Sequence, residues 1–300
     1  MTRRLADPSF RLPTTARFWQ ACCAVMVLSC LSSSSHADDA ERLYRQIKWK
    51  YGPTTIRIGD NAEMKIPKGY KYTGREGAAI WNKLTMNPPQ DDLGVLVSTN
   101  DNADWYVVFM FDQCGYVKDD EKESLDAKQI LAAIQEGNKE GNAYRRSKGW
   151  TEINILGWSE TPTYDEETHN LVWCALGQDS EGMTVINHNT RILGRRGVMN
   201  VMLVADPQDT GRVAATIKEM MNGFRYRQGE KYAEWQQGDK IAAYGLTGLI
   251  VGGGLVAAAK TGLLQMLLKG GKAIVLLVAG GVAAFWKMLT GQGSGHNSYS

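Results

Sequence analysis

The sequence predicts an α+β domain, an antiparallel sheet flanked by helices, with a carboxyl-terminal transmembrane helix or helical hairpin. Three observations predict it. Strand-like runs follow one another closely between residues 151 and 205, through connections too short for crossovers. Helical patterns lie before and after that block. The 300 residues also divide by charge into a mildly acidic body between two basic, apolar ends. Residues 1–37 hold four Arg and one Asp, residues 38–240 hold 26 basic and 31 acidic side chains, and residues 241–300 hold four Lys and no acid. With 22% charged and 43% hydrophobic residues, a disordered tail, a collagen and a wholly embedded transporter are excluded. An acidic body argues against a nucleic-acid partner, because phosphate binding needs surplus Lys and Arg.

The ends come first. Arg3, Arg4, Arg11 and Arg17 precede the charge-free stretch Phe18 to Leu31, and Ser35-His36-Ala37 suits a signal peptidase, so residues 1–37 read as a cleavable signal peptide. An uncleaved anchor, or lipid attachment at Cys30, are the alternatives. At the other end, 241–259 is 19 uncharged residues, roughly 28 Å as a helix, enough to span a bilayer. Residues 260–272, with Lys260, Lys269 and Lys272, read as a cytoplasmic loop, 273–289 as a second transmembrane segment and 290–300 as a tail. Between the ends lie the exported domain, 38–225, and a juxtamembrane linker, 226–240. Gly248 and Gly252 form a small-xxx-small pair suited to helix packing and to homo-oligomers. Once Cys22, Cys23 and Cys30 leave with the signal, Cys114 and Cys174 remain, compatible with one disulfide or two buried thiols.

Within the body, Asp39 to Trp49 reads as a helix, and Thr54 to Ile58 and Ala62 to Ile66 as strands around the turn Gly59-Asp60-Asn61. Gly77 to Leu84 reads as a helix broken by Pro88-Pro89, and Leu93 to Ser98 with Trp105 to Asp112 as a hairpin. Asp126 caps the next helix, with Gln129 three residues on, Ile130, Leu131 and Ile134 on its apolar stripe and Gly149 at its end. Then come the strands Glu152 to Trp158, Asn170 to Gly177, Met183 to Leu193 and Val198 to Ala205. Asp206-Pro207 opens a closing helix that Gly223 ends.

Four landmarks carry a resemblance. They are Gly115-Tyr116-Val117-Lys118-Asp119-Asp120-Glu121, Gly157-Trp158 with Pro162-x-Tyr164-Asp165, Asn187-x-Asn189-Thr190-Arg191-x-Leu193-Gly194-Arg195-x-Gly197, and Lys240-Ile241-Ala242-Ala243-Tyr244-Gly245. Together they resemble a bacterial family of predicted membrane-anchored proteins of unknown function. The resemblance implies an exported domain with a carboxyl-terminal anchor, held in the inner membrane with residues 38–240 on the periplasmic side. It transfers no catalytic residues. The closing strands and helix, ending Gly223-Phe224-Arg225-Tyr226, also look like a PsbP-like α/β/α sandwich.

Chemistry is sparse. Among the body's histidines, His169 and His188, neither lies in a ligand pattern, and phosphate-loop, nucleophile-elbow and His-Glu-x-x-His motifs are absent. Asp119, Asp120 and Glu121 are the candidate metal or proton-sharing carboxylates, against the plainer role of a solvated helix approach. Asn187, Asn189 and Arg191 alternate along a strand, so they share one face and form the candidate ligand-binding set, with Arg191 as the charged donor. Gly194 and Gly197 suit a turn that needs positive φ. Trp105, Trp158, Tyr164 and Trp173 suit packing better than a sugar platform. The favoured reading is an envelope module that binds a protein or small ligand without catalysis and without a cofactor. A hydrolase using Asp119, Asp120 and Glu121 with Asp165 or His169, and an accessory subunit of a transporter, are the alternatives.

Overall fold

The structure is a computed structural model describing residues 33–252 except 101, 102 and 104. Helix α1 (Ser33–Arg45) leads to β1 (Lys50–Tyr51) and the hairpin β2 (Thr54–Ile58) and β3 (Ala62–Ile66). Next come β4 (Tyr70–Gly74), α2 (Arg75–Leu84), β5 (Asp92–Ser98), β6 (Trp105–Asp112) and α3 (Ala127–Ser147). The strands β7 (Ile153–Asp165), β8 (Asn170–Asp179), β9 (Thr184–Leu193) and β10 (Val198–Ala205) follow, then α4 (Thr210–Met221), β11 (Phe224–Tyr226) and α5 (Leu246–Val251). Eight strands form one sheet in the order β1-β4-β5-β6-β10-β9-β8-β7, and β11-β3-β2 form a second. Every strand pair is antiparallel. The strand expected at Glu152 to Trp158 runs on to Asp165, and the helix expected over Asp39 to Trp49 ends at Arg45.

The central strands of the large sheet are buried on both faces, while its edge strands β1 and β7 hold no buried residue. On one face Val107, Phe109, Met199, Val201, Leu203, Ile186 and Cys174 meet Ile56, Ile58, Met64 and Ile66 of the small sheet in one core. The other face carries two separate clusters. Ala78 and Trp81 of α2 pack on Val95, Val97, Tyr106 and Val108. Ile130 of α3 and Leu246, Leu249 and Ile250 of α5 pack with Leu171, Trp173, Leu193 and Val198. An edge strand exposes unpaired backbone groups, and amides of α3 satisfy those of β7. Asn142 Oδ1 accepts from Ile153 N and its Nδ2 donates to Ile153 O, both at 3.0 Å, while Gln135 Nε2 donates to Ile155 O at 2.9 Å. The α3 cap is as the sequence suggests: Asp126 Oδ1 accepts from Lys128 N and Gln129 N at 3.0 Å.

Three expectations are corrected. Residues 226–240 are not a linker: Tyr226, Glu230 and Tyr232 are at most 8% exposed, and Tyr226 Oη accepts from Met199 N at 2.9 Å and donates to Ile192 O at 2.7 Å. The span expected over 241–259 begins inside the folded domain. Leu246 is 0% exposed, Thr247 N donates to Glu121 Oε2 at 3.0 Å, and α5 stops after six residues with Gly252 at φ +91°. Apolar side chains of this kind serve a protein core as well as a bilayer, so uncharged length alone misassigned them. Among the described residues no helix is long and apolar enough to cross a membrane. The signal segment up to residue 32 and everything after 252 lie outside the described residues.

The third correction concerns Gly194 and Gly197, neither of which has positive φ. They are glycine for space: a Cβ on Gly197 would stand 2.2 Å from Asp112 O and 2.7 Å from the Phe111 ring, and one on Gly194 would stand 2.7 Å from the Tyr226 ring.

Candidate functional site

Strand β9 carries Asn187, Asn189 and Arg191 on one face, and register fixes their neighbours. Arg191 pairs with Asn200 of β10 and Leu171 of β8, and Asn189 with Met202 and Trp173. Directly opposed residues share a face, so these polar groups form a strip between the α2 cluster and the α3–α5 cluster. The Arg191 guanidinium lies over the Trp173 ring at 4.7 Å and, among the described residues, makes one long hydrogen bond, Nη1 to Asn189 Oδ1 at 3.4 Å. Among the described residues no carboxylate is within ion-pair distance of it. Burial pushes Arg191 down to about 10, against the smaller opposing influence of Asp112 and Tyr244. Tyr244 Oη is itself engaged, donating to Asp112 Oδ2 at 2.5 Å. Asn200 Oδ1, across from Arg191, is buried and accepts no hydrogen bond among the described residues. A guanidinium offers five N–H donors in a fixed fork, so most of this one's capacity is unused at a site where desolvation disfavours its charge.

The family described as "Protein of unknown function (DUF2167)" matches residues 50–283. The chain belongs to that family. No curated protein matches it. Among solved structures, this DUF2167 chain is similar to cyanobacterial PsbP (CyanoP) from Synechocystis sp. PCC 6803, with TM-score 0.37, 8% identity, and coverage of 60% of this chain and 92% of that one. It is also similar to the Saccharomyces cerevisiae Ran-binding protein Mog1p, with TM-score 0.31, 11% identity, and coverage of 59% and 96%.

The other candidate residues of this DUF2167 domain are dispersed. Asp119 Oδ2 accepts from Tyr164 Oη at 3.0 Å, Asp120 is exposed, and Glu121 accepts from the backbone at Thr247. They do not converge, and among the described residues no group of three or more His, Cys, Asp or Glu is placed to hold a metal ion. Cys114 and Cys174 are free thiols. Register explains why: Cys174 pairs with His188, which pairs with Leu203, which pairs with Val107, seven residues before Cys114. A disulfide needs Cα atoms within about 7 Å. Burial pushes both thiols up to about 11, which removes thiolate character at neutral pH. Gly248 is buried, where a Cβ would stand 2.6 Å from Tyr244 Cβ, so it serves the domain's own packing, whereas Gly252 follows α5 at φ +91° with nothing within 4 Å of its Cβ position. His188 is largely buried on β9: its side chain is 14% exposed, 3.7 Å from Glu160, and burial lowers its pKa.

Sequence reasoning grouped Asp119 with His169 but missed Tyr164, which links them. Tyr164 Oη donates to Asp119 and lies 3.1 Å from His169 Nδ1, which therefore donates to the phenol oxygen. The His169 ring lies 4.4 Å from Tyr232, and Tyr232 stacks on Tyr116 at 4.5 Å. Burial, then the Asp119 charge, pushes the Tyr164 phenol up, so it remains a donor and no nucleophile. Asp119 and Tyr164 are 45 residues apart, and only the fold reveals their pairing.

Arg195, beside the β9–β10 turn, is tied to the chain near residue 239. Its Nε and Nη2 grip Asp239 at 2.7 and 2.9 Å, holding that carboxyl down to about 2, with the Gln236 amide helping. A value depressed below the ordinary range of about 3.9 stabilises the fold above pH ~4 and is lost as pH falls towards 2. Melting curves between pH 2 and 7 are expected to show Asp239→Asn less stable than the parent near neutrality, with the two converging at the acid end.

Proposed function

We propose that the chain is a membrane-anchored envelope module that binds a protein segment or small ligand at the polar strip of β9 and β10, without catalysis. The observation that carries it is Arg191, a half-buried cation on an aromatic face with no carboxylate partner among the described residues. Buried charge without a partner is costly, and a ligand carboxylate is the complement that a planar fork binds in bidentate fashion. Asn187, Asn189 and Asn200 supply further donors and acceptors on the same face. An anchor beyond Gly252 and export of the body are read from the sequence. The thiols and the Tyr164 phenol, all shifted away from ionisation, favour binding over covalent chemistry.

Titrating the domain with short peptides bearing a free terminal carboxylate, beside their amidated counterparts, tests the proposal. Stability is expected to rise with the carboxylates, by about 2.7 kcal/mol at a hundredfold excess over Kd. Amidation, or Arg191→Met, should abolish the rise. Equal responses to carboxylate and amide would remove the site.

A further inference from the structure

We propose that the polar strip extends to Asp92 and takes a zwitterion, a short peptide whose carboxylate meets Arg191 and whose free amino end meets Asp92. Pairing runs straight across four strands. Asp92 of β5 opposes Met110 of β6, Met110 opposes Asn200 of β10, and Asn200 opposes Arg191 of β9. Directly opposed residues share a face. That face is the one α2 covers, since Asn82 of α2 donates to Asp92 Oδ2. Leu93 and Val95 lie in cores on opposite faces, so the bulge between Asp92 and Gly94 has shifted the alternation and re-aimed this end of β5.

The row is polar and its groups are unmet. Asp92 is 5% exposed, its Oδ1 accepts no hydrogen bond, and among the described residues no cation lies within ion-pair distance of it. Arg75 of α2 is taken by Asp91 instead. Burial pushes the Asp92 carboxyl up, against the hydrogen bond from Asn82. Asn200 Oδ1, in the middle of the row, is the second buried acceptor without a donor. Unmet buried groups are costly. Here two acceptors stand ahead of a donor fork, and a ligand with N–H donors ahead of its carboxylate meets all three. A dicarboxylate would satisfy Arg191 but set a second anion against Asp92.

The row also sets a length. Three strand spacings of about 4.8 Å put Asp92 and Arg191 roughly 14 Å apart along the sheet. An extended peptide of two or three residues spans roughly 7–10 Å, and a hydrogen bond of about 2.9 Å at each end makes up the rest. Met110, Asn200 and Arg191 are partly exposed, which leaves the middle open, while buried Asp92 closes one end. Beyond Arg191 the row ends on Leu171, 0% exposed in the α3–α5 cluster. The inference rests on the reading of Arg191 as a carboxylate site.

The test measures Kd by calorimetry on the full chain at pH 7, where a peptide amino end is charged. The ligands are trialanine and its propionyl analogue, which lacks only the amino group. Trialanine is expected to bind roughly tenfold to a hundredfold more tightly, the range for hydrogen bonds between charged groups. Asp92→Asn, which keeps the shape and the bond from Asn82, should leave the propionyl analogue unchanged and bring trialanine down to it. Asp92→Ser repeats the reading if Asp92→Asn misfolds. A propionyl analogue bound as tightly as trialanine, or more so, overturns the amine end alone and leaves the carboxylate site standing. A preference for trialanine that survives loss of the Asp92 charge overturns the part given to Asp92. If neither ligand binds, the Arg191 reading fails and this inference with it.

Discussion

A chain ended after Lys240 is expected to lose the cooperative unfolding that a chain ended after Gly252 keeps. The shorter chain lacks Leu246, Leu249 and Ile250, which are 0%, 6% and 7% exposed, and the Tyr244 hydrogen bond to Asp112. Burial of one such side chain contributes about 1.5–3 kcal/mol, and whole domains are stable by only about 5–15 kcal/mol. Three of them lost together leave the α3 face of the sheet bare to water. Urea unfolding followed by circular dichroism on residues 38–240 and 38–252 is the comparison. Equal midpoints would return residues 241–251 to a role outside the domain.

Gly197→Ala is the single substitution expected to do most damage. Its Cβ would enter the space of Asp112 O at 2.2 Å, a backbone atom at the end of β6, where β6 pairs with the first residue of β10. Both strands lie inside the sheet, so neither yields, and overpacking of this kind costs about 1–3 kcal/mol, with backbone clashes at the upper end. Gly157 of β7 has nothing within 4 Å of the same position, so Gly157→Ala should be close to neutral. Gly197→Asn separates the two roles for the glycine. A position that needed positive φ would accept Asn well, whereas a crowded one should reject it at least as strongly as Ala.

The sheet was legible where short connections forced antiparallel neighbours, as from Asn170 through Ala205, and the α3 cap was legible because Asp126 and Gln129 act within one turn. The rest was hidden for physical reasons. β4 is five residues of Tyr, Lys, Thr and Gly, and it becomes a strand only by lying between β1 and β5. The two-sheet arrangement depends on β11 returning from the far end of the domain to pair Phe224 with Met64, a contact that no local pattern announces. Uncharged length assigned 241–251 to a membrane, although Gly252-Gly253-Gly254 was an available signal for the end of a short helix. At the candidate site, alternation placed Asn187, Asn189 and Arg191 on one face. Asn200 across the register and Trp173 beneath the guanidinium belong to other strands, and spacing along the chain says nothing of them.

The most direct measurement is the unfolding free energy of the ligand-free Arg191→Met domain. If Arg191 is held uncompensated for a ligand, removing its charge while keeping its bulk should stabilise the empty domain, by about 1–4 kcal/mol, and abolish the response to carboxylate peptides. A ligand-free domain made less stable by Arg191→Met would contradict this, and would place Arg191 in the fold's own support alongside Asp112 and Tyr244.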